Sequence, residues 1–269
     1  EIVDCDWSSD VCSCDLYFCI RMLDDRPYMR SPSWESGRSV TFYLLIVTTA
    51  AFFLQSIAEH YRLFDVDRYL ALSLDGLKHG YVWQLLTFQL LHGGVLHLIF
   101  NLLAIYIFGR ALEETLTRAD YLRLYVTSGV IGGLFHVLAA AIFPDVEAFR
   151  SPVVGASAGA MGLIAAFATL FPHRELTLLV LFVIPVSMRA RTLLYISLAI
   201  AVFGLIVPAD NIANAAHLGG LLAGAAGLLT SLVYHTITPF IGLNILLKGM
   251  TGMAIGGMGN VYEIGRAHV

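Results

Sequence analysis

Val153–Phe171 reads VVGASAGAMGLIAAFATLF. This uncharged stretch is close to the ~20 residues that an α-helix needs to cross the roughly 30 Å hydrocarbon core of a bilayer. Gly155, Ala156, Ser157, Ala158, Gly159, Ala160 and Gly162 crowd its first half. Small residues let helix backbones approach closely in lipid, so the bland reading is a tight helix interface. A hydroxyl at the crowded start of such a helix also has the makings of a nucleophile. Small neighbours leave a peptide backbone room to reach Ser157, and the amides of a helix N-terminus face any developing negative charge.

Similar apolar stretches lie on both sides. Working outward, they are about Leu122–Ile142, Gly93–Ala111 with a lead-in from Tyr81, and Val40–Ala58 upstream, then Thr192–Val207 and Ile212–Tyr234 downstream. Each is read as a helix, because an open backbone in lipid leaves amides unpaired. The expected fold class is therefore all-α, a polytopic membrane protein with a bundle of six transmembrane helices. Composition agrees: 58% of residues are hydrophobic and only 13% charged, against about a quarter charged in soluble domains. One more run, Leu176–Val186, is short, carries Pro185 at its end, and is followed by Arg189 and Arg191. It is read as an interfacial or partly dipping segment, with a seventh span as the lesser alternative.

Lys and Arg concentrate on the cytoplasmic side of membrane proteins. With six spans and the N-terminus inside, 12 of the 16 basic residues are cytoplasmic, and only Arg62, Arg68, Lys78 and Arg150 lie outside. That arrangement brings Ser157, His217, His97 and Asn101 to one shallow depth from the outer face. The expected location is an integral, multi-pass protein of a bacterial inner (plasma) membrane, with its site toward the outer face.

The expected domains are a cytoplasmic tail over 1–39, a membrane domain over 40–234 and a second tail over 235–269. Cys5, Cys12, Cys14 and Cys19 all precede the first span. Their spacing is a weak zinc signal. The extreme ends read better as translated adaptor sequence. The acidic first residues lack a basic n-region, so targeting is expected to come from the first span. No basic stripe suits a nucleic acid, and no cofactor or metal is expected. Oligomeric state is not legible.

Ionisable groups inside spans are functional candidates, although an isolated buried histidine is most often a helix–helix hydrogen bond. His217 lies in NAAHLGG, Asn214–Gly220, with Gly220 and Gly224 on its own face. A serine needs a base to take its proton, and neutral imidazole does this near pH 7. Asp210 is about two turns from His217, so a Ser157–His217 dyad is expected without a third member. His97 and Asn101, at i and i+4, share a face and can both donate hydrogen bonds to an oxyanion. His92 is read as a loop or access-path group. Gly155, Gly159, Gly220 and Gly224 are expected to pack the helices around the site.

Four motifs occur in order: VWQLLT at Val82–Thr87; HGGVLHLIFN at His92–Asn101, followed by Gly109 and Glu113; Gly155-Ala156-Ser157; and AHLGG at Ala216–Gly220 with Gly224. Together, over roughly Val40 to Tyr234, they resemble the rhomboid family of intramembrane serine proteases. The resemblance implies a six-helix core with Ser157 as nucleophile on the fourth helix and His217 as base on the sixth. It also implies oxyanion helpers at His97 and Asn101, and substrate access near the fifth helix and an outer loop. Single-span or other transmembrane proteins are the implied substrates, met in membrane lipid. Two positions depart from the family pattern: Gln84 where Arg is usual, bearing on loop anchoring, and Ala158 where Gly is usual, narrowing the space near a scissile carbonyl. The alternative is a non-catalytic rhomboid-like protein that binds membrane helices, against which the retained Ser and His weigh. A small-solute transporter is disfavoured because no paired internal repeat is found.

Overall fold

The computed structural model describes residues 39–180, 184–207 and 213–234. The four cysteines, Asp210 and the tail beyond Tyr234 lie outside the described residues. Six longer helices follow one another: α1 (Val40–His60), α2 (Val95–Glu113), α3 (Arg118–Ile142), α4 (Ser157–Leu170), α5 (Ala190–Ile206) and α6 (Asn214–Tyr234). Of these, α1, α2 and α3 are long and apolar enough to cross a membrane, while α4 and α5 are shorter apolar helices. The molecule is a polytopic, predominantly α-helical membrane bundle. Large apolar side chains stand exposed along α1 (Phe42, Phe53, Leu54) and α5 (Tyr195, Ile200, Phe203). Lipid, not water, is the solvent that makes such faces stable.

Two helix starts, those of α1 and α3, are set by side chains that take up orphan amides. The Glu113 carboxylate accepts the Val40 and Thr41 N–H groups, and a negative charge there also complements the helix dipole. Thr117 caps α3 by accepting the Asp120 N–H at 3.2 Å. Helix α2 is interrupted by a π-helical turn at Ile105–Gly109. Gly109 lies so close to the Tyr121 and Thr41 hydroxyls that a β-carbon would not fit.

Helix α4 is the centre of the bundle and is buried along almost its whole length. It starts at Ser157, later than the expected Val153. The intervening backbone is committed elsewhere: Leu72 and Val153 exchange both amide bonds, at 2.8 and 3.0 Å, and Gly155 N–H donates to Phe88 O at 2.9 Å. The resulting helix is about 21 Å long, short of the hydrocarbon thickness.

The run Leu176–Val186, over its described residues, is neither a helix nor a seventh helical span. It belongs to an antiparallel hairpin of β1 (Glu175–Val180) and β2 (Ile184–Arg189), with Glu175 opposite Arg189 and Thr177 opposite Ser187. The two hydroxyls of that second pair lie 3.0 Å apart. Pro185 removes the amide that a helix would need. Short apolar runs do not distinguish strand from helix by periodicity, which is why this element was not legible.

Three helices, α3, α4 and α6, meet through small residues. Gly220 lies against the Ala158 carbonyl oxygen and Gly224 against that of Gly162. Gly162 in turn abuts Ser128, and Gly132 abuts Ala216 O and the Ala158 methyl. Adding a β-carbon to Gly220 drives it into backbone, which cannot swing aside as a side chain can. A β-carbon on Gly227, one turn beyond Gly224, would meet only the end of the Leu124 side chain, its Cδ1 at 3.2 Å. Gly220→Ala should therefore lower unfolding stability in mixed micelles by about 1–3 kcal/mol. Gly227→Ala should be near neutral, because helix propensity gains up to about 1 kcal/mol. Equal stabilities for the two variants would contradict the close α4–α6 contact.

Candidate active site

The turn before α4 shapes the site. Gly155 has φ +129°, a conformation open to glycine and strained for other residues. Its missing side chain also makes room: a β-carbon there would lie 2.8 Å from both Cε1 and Nε2 of His97, and 3.5 Å from Ser157 Oγ. The chain then enters α4 with Ser157 as the first helical residue, and no side chain caps that end. The first amides of α4 thus have no partner within the helix.

His217 occupies the first turn of α6, its N–H bonded to Ala213 O at 3.0 Å. Its Nε2 lies 2.8 Å from Ser157 Oγ. The two side chains are 60 residues apart in sequence and meet because Gly220, one turn after His217, seats α6 on the Ala158 carbonyl. When the serine hydroxyl donates, His217 Nε2 is the acceptor and its Nδ1 carries the proton. Serine on one rigid helix and base on another is the geometry of an activated nucleophile.

His97 stands in the first turn of α2, with its ring against Gly155. Asn101, one turn on, is buried, and its Nδ2 has no hydrogen-bond partner in the protein. Buried amide donors are normally paired. Asn101 thus keeps an open donor one turn along α2 from His97, whose ring lies against Gly155. Among the described residues no group of three His, Cys, Asp or Glu side chains is placed to hold a metal ion.

His92 stands in the loop that leads into α2. It is buried and its ring stands edge-on to that of His97, with centroids 5.2 Å apart. Burial, with His97 beside it, lowers its pKa to about 4 although a bond to Leu90 O opposes the shift, so the ring is neutral at ordinary pH. The backbone of His92 is held by Gln55 of α1, which bonds both its N–H and its carbonyl. Sequence reasoning missed Gln55. A lone amide in an apolar span was the available signal, since polar groups in a span call for a partner. It also missed His136 of α3, which is buried and bonds to Ser151 O at 3.2 Å, tying α3 to the approach to α4.

The two departures from the family pattern have structural answers. Gln84 anchors the loop between α1 and α2: its Nε2 donates to Arg68 O at 2.9 Å and its Oε1 accepts Ser73 N–H at 3.3 Å. Trp83 and Thr87 add bonds to Tyr69 O and Leu70 O. The Ala158 methyl faces Gly132 of α3 and packs with Leu72, Phe88, Val153 and Ala216. It fills a helix interface. Gly159 packs against the Tyr125 ring and backbone.

A family model described as the Rhomboid domain matches residues 79–234, more than half of the chain. Among similar proteins, Rhomboid protein 1, mitochondrial, of Saccharomyces cerevisiae is 29% identical over 189 residues, covering 70% of this chain and 51% of that protein. Presenilin-associated rhomboid-like protein A, mitochondrial, of Danio rerio is 31% identical over 152 residues, or 56% of this chain and 38% of that protein. Rhomboid protease GluP of Bacillus subtilis is 30% identical over 148 residues, 55% of this chain and 26% of that protein. The chain thus spans about half or less of these curated relatives. A family match that contains Ser157 and His217 joins with the hydrogen bond between them and with the polytopic helical architecture; the chain belongs to the rhomboid family.

Proposed function

We propose that this chain is an intramembrane serine endopeptidase that cleaves single-span or other transmembrane proteins through an acyl-enzyme. The observation that carries the reading is the 2.8 Å contact between Ser157 Oγ and His217 Nε2. Ser157 Oγ attacks the scissile carbonyl carbon and its proton passes to His217 Nε2. The oxyanion accepts hydrogen bonds from His97, from Asn101 Nδ2 and from the free amides at the start of α4. His217 then gives its proton to the leaving amine. Water, deprotonated by the same imidazole, releases the acyl group and restores Ser157. A non-catalytic helix-binding role has no use for the Ser–His contact or for an open Asn101 amide.

The reading extends to topology. The membrane domain is taken as 40–234 with six spans, between tails over 1–39 and 235–269. Both termini are cytoplasmic and the site opens toward the outer face of a bacterial inner (plasma) membrane. The basic-residue bias supports this orientation, and the similarity to GluP of Bacillus subtilis supports the bacterial setting. Hydrolysis needs water, and a shallow site near the outer ends of α4 and α6 can be reached by it. A substrate helix must unwind locally to present its backbone, which is costly in hydrocarbon and cheaper in a polar cavity.

Detergent-purified protein should cleave a labelled single-span substrate, and Ser157→Ala should abolish cleavage. Asn101→Ala should lower kcat up to about 100-fold with little change in KM. An effect on KM alone would move Asn101 to a structural role. Orientation is checked by cysteine labelling in intact cells, with Cys5, Cys12, Cys14 and Cys19 replaced. A cysteine at Asp145 should react with an impermeant reagent from outside, and one at Arg189 should not. External labelling at 189 would overturn the orientation.

A further inference from the structure

The serine protease reading, on which this inference rests, places two imidazoles at Ser157 and requires them in opposite tautomers. His217 must present a bare Nε2 to take the serine proton. His97 must present Nε2–H to an oxyanion. A neutral imidazole carries its proton on either nitrogen, and the hydrogen bond made by the other nitrogen decides which.

For His97 that other nitrogen is Nδ1, and the group facing it is the Gly93 N–H, 3.4 Å away. A backbone amide can only donate, so Nδ1 is the acceptor and the proton resides on Nε2. The Cε1–Nε2 edge of the ring is the one turned toward Gly155, two residues before Ser157. The bond is long for its kind, so its direction depends on how firmly the Gly93 amide is held.

That amide belongs to the same peptide unit as the His92 carbonyl. The unit is trans and planar, so its C=O and N–H point in opposite directions. Gln55 Nε2 donates to His92 O at 3.1 Å, while Gln55 Oε1 accepts His92 N–H at 2.9 Å. A second bond from Gln55 Nε2, to Glu59 Oε1 at 2.8 Å, settles the orientation of the side-chain amide, because a carboxylate only accepts. Holding the His92 carbonyl from the α1 side turns the Gly93 N–H the other way, toward His97. The His92 ring walls the same side of His97.

We propose that Gln55 is a positioning residue, which sets the tautomer of His97 by clamping the His92–Gly93 peptide from α1. Glycine at 93 has little conformational preference of its own, so the clamp is the restraint that selects one orientation of the peptide. In this account the first membrane helix, which carries none of the reacting groups, keeps the oxyanion donor armed.

The test uses the full chain in detergent micelles, labelled with 15N-histidine, with the His97 signals assigned by comparison with His97→Gln. Wild type should show a protonated Nε2 and a bare Nδ1 at His97. Gln55→Met, close in shape and suited to an apolar helix, should show mixed tautomers at His97. It should also lower kcat on a single-span substrate about tenfold, with KM within twofold and a melting midpoint near that of wild type. If Gln55→Met fails to accumulate, Gln55→Glu serves instead, since it keeps the acceptor for His92 N–H and loses the donor to His92 O. An unchanged kcat, or a lost kcat with the His97 tautomer intact, would overturn the proposal and leave Gln55 a packing residue. Failure of the protease reading looks different: wild type would not cleave, while the nitrogen spectra would still report whether Gln55 governs His97.

Discussion

Everything at this site depends on two helices touching backbone to backbone. Helix α6 rests on α4 where Gly220 meets the Ala158 carbonyl and Gly224 meets that of Gly162. In lipid there is little hydrophobic force to drive helices together, so close packing of small residues does the work. The same contact sets the separation of Ser157 and His217, which lie at the ends of these two helices. A hydrogen bond tolerates only a few tenths of an ångström, and a β-carbon at the contact exceeds that. Stability of the bundle and competence of the site are therefore one constraint seen twice.

The second dependence is on the loop between α1 and α2. Its backbone would be costly at membrane depth unless satisfied, and side chains satisfy it. Gln84, Thr87 and Trp83 bind the carbonyls of Arg68, Leu70 and Tyr69. Leu72 then pairs with Val153, and Phe88 with Gly155, so the loop holds the strand-like approach to Ser157. His97 and Asn101 on α2 and Ser157 on α4 are thereby referred to one frame. Gln84, where the family usually has arginine, holds this loop with an uncharged amide, which suits its fully buried position.

Much of this was legible in the chain itself. The spans of α1, α2 and α3 follow from runs of apolar residues, because bilayer thickness prescribes their length. The Ser157–His217 pairing followed from two polar residues at matching depth, each flanked by glycines. What stayed hidden depends on partners distant in sequence. Helix α4 starts four residues late because Val153 and Gly155 are claimed by Leu72 and Phe88, which no local pattern announces. The hairpin at Glu175–Arg189 escaped because six-residue apolar strands and helix fragments read alike. Ala158 looked like a narrowing of the site, but its methyl points at Gly132. Gln55 was visible as a polar residue in an apolar helix, and its partner, a main-chain peptide, was not.

In the proposed mechanism Ser157 is a nucleophile activated by His217. The most direct measurement is reaction with a serine-directed fluorophosphonate probe in micelles, followed by peptide mapping of the adduct by mass spectrometry. A single adduct at Ser157 is expected, formed many-fold more slowly in His217→Ala protein that remains folded. An adduct at another serine, or an unchanged labelling rate without His217, would contradict it.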